Sequence, residues 1–92
     1  MIRSFRSKAL KRFAETDDRR GLSVQKHDRI RLILNSLEAA TRPEDVNLPS
    51  LRFHRLVGDR KGAYAVSVSG NWRITFRWDG DDVVDVDLED YH

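Results

Sequence analysis

The stretch NWRITFRWDGDDVVDVDLED, residues 71–90, alternates apolar and polar side chains on both sides of a single Asp-Gly step. Trp72, Ile74, Phe76 and Trp78 alternate with Arg73, Thr75 and Arg77; beyond the step, Val84, Val86 and Leu88 alternate with acids. A period of two marks a strand with one face buried. Asp79-Gly80 supplies the left-handed conformations that a tight hairpin turn needs. The stretch therefore reads as an antiparallel hairpin. Trp72, Ile74, Phe76, Trp78, Val84, Val86 and Leu88 point inward, and Arg73, Thr75 and Arg77 point outward.

Upstream, the same period continues. AYAVSVS, residues 63–69, alternates Tyr64, Val66 and Val68 with Ala63, Ala65, Ser67 and Ser69, and GDRKG before it is a glycine-bounded turn. LRFHRLV, residues 51–57, sets Leu51, Phe53 and Val57 on one face and Arg52 and His54 on the other. Before Pro49 the period lengthens. Ala9, Leu10 and Phe13 fall at helical spacing with Ser7 as a cap. Ser23 can cap a longer helix through about Ala40, whose apolar stripe is Ile30, Ile33, Leu34 and Leu37. Lys26, Arg29 and Arg31 lie off that stripe, and Pro43 stops the helix because it cannot continue the hydrogen-bond ladder. MIRSF at the start is too short to separate strand from coil. The expected fold is α+β: two N-terminal helices packed on one face of a mainly antiparallel sheet of about four to five strands.

Ninety-two residues, 39% of them hydrophobic, fill one core and one domain, residues 1–92. No apolar run approaches the roughly 20 residues of a membrane span, and none follows the basic N-terminal stretch as a secretory signal requires. Without cysteine there is neither a disulfide framework nor a thiolate metal site. His27 and Asp28 lack a third ligand at suitable spacing, so no metal is expected. A cytoplasmic domain without cofactor is the economical expectation. The charge is divided sharply: residues 1–77 hold all 17 Lys and Arg against eight acids, a surplus of nine, while the last 15 residues hold seven acids and no Lys or Arg. A basic body of this kind suits a polyanionic partner such as RNA, DNA or the ribosome.

The outward face of the sheet carries the chemistry. Arg73, Thr75 and Arg77 stand beside a strand that presents only alanines and serines, a cationic floor open to a phosphodiester backbone. His54 shares that face, and His92 follows the last strand. Cutting RNA without metal needs a base for the ribose 2′-hydroxyl, an acid for the leaving 5′-oxygen, and positive charge where the phosphoryl oxygens gain negative charge. Imidazole, with an unperturbed pKa near ~6.5, suits either proton-transfer role. Guanidinium suits the third, because it stays charged and can grip two oxygens.

HRLVGDRKG, NWRITFRW and the terminal DYH together resemble the HigB branch of the RelE-like bacterial toxins, the plasmid maintenance killer proteins. The resemblance runs over essentially the whole chain, including MIRSF and the helix-then-sheet order. It implies a compact microbial-RNase-like fold and a toxin that cuts mRNA in the ribosomal A site, halting translation. It also implies a HigA-like helix-turn-helix antitoxin, through which alone the toxin would meet operator DNA. By position the family's functional residues fall on His54, Arg73, Asp90, Tyr91 and His92. Arg73 is expected to stabilise phosphorane charge, and His54 and His92 to share the acid and base work. Tyr91 would stack on or orient a base, and Asp90 would orient a histidine or the terminus. Arg52, Arg55, Arg60, Lys61, Arg77, Lys26 and Arg29 are the expected contacts to RNA and ribosomal RNA. Val57 stands where many relatives have a lysine, so the resemblance implies either lower activity or a transfer of that cationic role to Arg55 or Arg60. Two other classes of function compete: a ribosome-binding inhibitor that blocks without cutting, which needs neither histidine, and a DNA-binding corepressor, which lacks a helix-turn-helix pattern here.

Overall fold

A computed structural model describes residues 1–90; the expectations placed on Tyr91 and His92 fall outside the described residues. Two helices, α1 (Lys8–Thr16) and α2 (His27–Ala39), precede strands β1 (His54–Arg55), β2 (Ala63–Ser69), β3 (Trp72–Asp79) and β4 (Asp82–Asp90). The four strands form one antiparallel sheet in the order β1-β2-β3-β4. The expected α+β meander is what the chain adopts. A single 3-10 turn at Pro43–Val46 follows α2, with the proline at its start where a missing N–H costs nothing.

Ser7 caps α1 as its position suggests: its Oγ accepts the Leu10 N–H at 3.1 Å, a bond of a kind that stabilises a helix by about 1 kcal/mol. Asp17 ends the helix in the left-handed conformation. The second helix starts later than its sequence pattern suggests. Lys26, not Ser23, is the N-cap residue, and no side chain caps it. Val24 explains the delay, because it is only 4% exposed; the segment spends residues 22–25 delivering Leu22 and Val24 to the core rather than winding. From His27 onward Ile30, Ile33, Leu34 and Leu37 form the buried stripe that was expected. They pack with Leu10 and Phe13 against Val66, Val68, Ile74, Phe76, Val83 and Val86.

The hairpin departs from strict alternation at one residue. Trp78 pairs with Val83 and Arg77 with Val84, but Thr75 pairs with Asp87, so β4 spends an extra residue opposite Phe76. Asp85, at φ 57, lies in the left-handed region at this bulge. Val83 takes the inward place expected of Val84, which is half-buried beside Arg77, while Val86 and Leu88 point inward as expected. The bulge also fits the N-terminus. Ile2 and Phe5 form parallel bridges to Val83 and Val86, and Ser4 Oγ accepts the Asp85 N–H at 2.9 Å. MIRSF is thus a short edge strand in function. Asp85→Val should cost about 1–3 kcal/mol in urea unfolding, because a β-branched residue is strained at the positive φ of this position, although valine has the higher strand propensity.

The segment 51–57 forms a shorter strand than its sequence suggests. Leu51 is fully buried and Phe53 stacks on Tyr64 at 5.5 Å between centroids, but Arg52 is left-handed at φ 51 and only His54 and Arg55 pair as strand. Val57, expected inward, is 82% exposed. A 3-10 turn at Gly58–Arg60 turns the chain back before Val57 can reach the core.

Candidate active site

Cross-strand partners share a face, so the register lays out the sheet surface away from the helices. One row runs His54, Ala65, Thr75, Asp87; the next runs Ser67, Arg73, Glu89. His54 and Arg73 therefore stand on one face, two strands across and two residues along, with Cα atoms about 12 Å apart from strand spacings. Side chains of their length can meet over one phosphodiester.

His54 is exposed and held at one end. Its Nδ1 lies 2.8 Å from the Arg52 carbonyl oxygen. A carbonyl only accepts, so Nδ1 carries a proton and Nε2 is left to face solvent. The left-handed turn at Arg52 brings that carbonyl under the ring.

Arg73 belongs to a cluster that centres on Glu89. Arg60 grips the Glu89 carboxylate through both nitrogens, at 2.8 and 2.7 Å, Thr75 donates its hydroxyl at 2.7 Å, and Arg73 Nη2 lies 3.4 Å away. The three charged side chains are 38% (Arg60), 20% (Glu89) and 13% (Arg73) exposed. Thr75, read from sequence as part of an open floor, is 2% exposed beneath this cluster, and Ala65 beside it is fully buried. The paired Arg60 side chain, with Thr75 and the charge of Arg73, holds the Glu89 carboxyl at about 2, against the opposing effect of burial. Glu89 is thus an anion at neutral pH and does not serve as a proton donor.

The same depression makes a statement about stability. A carboxylate whose folded pKa lies near 2 against an ordinary 4.5 contributes stability that is complete above 4.5 and disappears as pH falls towards 2. We expect Glu89→Gln to be less stable than the parent by on the order of 2 kcal/mol at pH 7. The gap should narrow through that acid window in chemical unfolding at stepped pH.

The other expected RNA contacts divide by position. Arg77 shares the outward face, and its Nη1 donates to the Lys61 carbonyl at 3.2 Å; Gly62 makes room, since a Cβ there would sit 3.0 Å from the same nitrogen. Lys61, Arg52 and Lys26 are exposed. Arg55 pairs with Tyr64 and lies over its ring at 5.8 Å, on the face opposite His54. Of the two cations nominated to replace the family lysine at Val57, Arg60 alone shares the Arg73 cluster. Arg29 is half-buried and donates to the carbonyl oxygens of Ser50 and Ser67, so it ties α2 to the sheet. Arg31 likewise reaches Phe13 O at 2.8 Å and Asp17. Asp90 pairs in register with Trp72 and is exposed. Glu89 is the residue that sequence reading missed.

Two helices on one face of a four-strand antiparallel meander, with a histidine and clustered arginines on the other, are consistent with a RelE-like fold. The chain belongs to the HigB-like toxins: the family described as RelE-like toxin of type II toxin-antitoxin system HigB matches residues 3–92. It is also 38% identical over 92 residues, the whole of both chains, to Endoribonuclease HigB of Proteus vulgaris. A toxin of a type II system has an antitoxin as its partner. No helix among the described residues is long and apolar enough to cross a membrane.

Proposed function

We propose that this chain is a ribosome-dependent endoribonuclease that cuts mRNA in the A site and thereby stops translation. The observation that carries the reading is the common face of His54 and the Arg60–Arg73 cluster, with the His54 ring fixed through Nδ1. The name of the Proteus vulgaris relative, an endoribonuclease, supports it.

In the proposed reaction, neutral His54 takes the 2′-hydroxyl proton at Nε2 and the 2′-oxygen attacks the adjacent phosphorus. Charge building on the phosphoryl oxygens is met by Arg73, with Arg60 beside it. The P–O5′ bond breaks, and His92 protonates the leaving 5′-oxygen, giving a 2′,3′-cyclic phosphate and a 5′-hydroxyl. Tyr91 stacks on or orients a base, and Asp90 orients a histidine or the chain end. No step calls on a metal or cofactor. Exposed Lys26, Arg52 and Lys61, with Arg77, contact RNA phosphates, including 16S ribosomal RNA.

The antitoxin is a HigA-like helix-turn-helix protein, and the toxin meets operator DNA only through it. Its site of action is the cytoplasm. α1 and α2 are separated by residues 17–26 rather than by a tight turn, which argues against direct DNA reading by this chain.

Mapping of mRNA 5′ ends by primer extension in a reconstituted translation reaction tests the proposal. New ends inside A-site codons, with cyclic phosphate on the upstream fragments, are expected. Arrested translation with intact mRNA would instead mark a ribosome blocker.

A further inference from the structure

A carboxylate in the middle of a face that must receive a polyanion works against binding, since it repels each incoming phosphate and cancels one of the two guanidinium charges beside it. Glu89 nevertheless occupies that place, with its oxygens saturated by Arg60, Thr75 and Arg73. Its location is also not incidental. A regular hairpin closing through Asp79 and Asp82 would set Arg73 opposite Leu88; the extra residue at the Asp85 bulge advances β4 by one and brings Glu89 opposite Arg73.

We infer that Glu89 is a positioning residue, which locks the guanidinium groups of Arg60 and Arg73 into one fixed arrangement facing the scissile phosphate and trades substrate affinity for transition-state alignment. Several observations converge. Arg73 is long and flexible by nature, yet its side chain is 13% exposed and Glu89 meets its Nη2. Arg60 comes from the turn after β1, and its two-pronged bond to β4 fixes that turn across the sheet. Thr75, buried beside Ala65 in the row that begins at His54, orients the carboxylate from below. Glu89 itself remains an anion at neutral pH and exchanges no proton with substrate. Guanidinium groups already aimed at the developing charge need no reorganisation in the transition state, which is where such donors have their largest effect.

The inference rests on the proposed cleavage reaction and makes a demand that neither simple repulsion nor simple stability shares. Single-turnover cleavage of 5′-labelled mRNA on programmed ribosomes, with protein concentration varied, separates the maximal rate constant from the half-saturating concentration. Glu89→Gln keeps the side-chain volume and an acceptor for Thr75. It should lower the maximal rate at least tenfold while leaving the half-saturating concentration unchanged or lower. Thr75→Val, which removes one bond to the carboxylate, should move the rate the same way by a smaller factor. Glu89→Asp, which restores the charge but retracts it, should recover part of the Gln loss. Circular dichroism at the assay temperature normalises each rate to folded protein.

An unchanged maximal rate with tighter binding would show Glu89 to be a mere repulsive charge and overturn the inference. A loss that disappears after normalisation would show a structural role only, with the same consequence. Parent protein that stops translation without cutting would remove the cleavage reading itself, and the inference with it; that outcome is visible in the parent lane alone.

Discussion

His54→Ala should slow mRNA cleavage by about 10²–10⁴-fold, the range that a positioned proton-transfer group contributes. The side chain is exposed and, among the described residues, its hydrogen bond is to the Arg52 carbonyl, so its removal leaves the core untouched. Thermal unfolding should therefore change little, within about 0.5 kcal/mol as at other surface sites. Ribosome binding should also persist, because the cations that meet phosphate remain. The combination is diagnostic: a large loss in rate, with stability and association intact, belongs to chemistry. Free imidazole should restore part of the lost rate, as it can enter the space that the side chain vacates and act on the 2′-hydroxyl. Arrest of translation at the parent's level by His54→Ala, with mRNA intact, would transfer the function to binding.

Arg73 calls for a different signature. It stabilises charge rather than moving protons, and it sits beside the half-buried Glu89 carboxylate. Truncation there therefore mixes a catalytic loss with the cost of Glu89 losing a neighbouring cation. His54 gives the cleaner measurement, and Glu89→Gln the cleaner view of the arginines.

The elements that sequence reading recovered are those governed by one repeating contact. The α2 stripe and the β3 alternation each face a single core, so periodicity alone orders their side chains. His54 and Arg73 share a face for the same reason. What escaped reading was set by exceptions to periodicity. The Asp85 bulge is invisible in VVDVDLED, because Val84, Val86 and Leu88 already form an unbroken alternating series, and Val83 gives no sign that it will replace Val84. Yet that one residue decides what faces Arg73. Glu89 looked like one more acid in an acidic stretch until the register placed it. Arg29 and Arg31 looked like basic surface because they lie off the apolar stripe, but their length lets them fold back onto the carbonyl oxygens of Ser67 and Phe13. Val57 looked inward because the strand was assumed to continue, and the turn at Gly58–Arg60 ended it. A signal for the Glu89 cluster does exist in the sequence: Arg60 and Arg73 lie in the two most distinctive motifs, and an acid near the chain end is the simplest means of joining them.

Phe76→Ala should reduce unfolding free energy by about 3–5 kcal/mol, the usual cost of deleting a buried aromatic ring. Phe76 is 1% exposed, its ring lies 5.9 Å from that of Tyr64, and it stands opposite the bulge where β4 has no regular partner for it. A domain of this size has about 5–15 kcal/mol in total, and each kcal/mol moves its midpoint by about 4–8 °C. The expected drop in thermal midpoint is at least about 12 °C. Phe76→Leu, which keeps most of the volume, should cost less than about 1.5 kcal/mol, as volume-conserving exchanges do. The effect reaches the site because Thr75 and Arg77, on either side of Phe76, face outward beneath Glu89 and against the turn at Lys61. A protein that loses Phe76 should accordingly lose toxicity through its folded fraction, and cooling the assay should restore cleavage, whereas no temperature restores it to His54→Ala. Loss of less than 1 kcal/mol in urea unfolding would mean that the core is not closed over Phe76 as described.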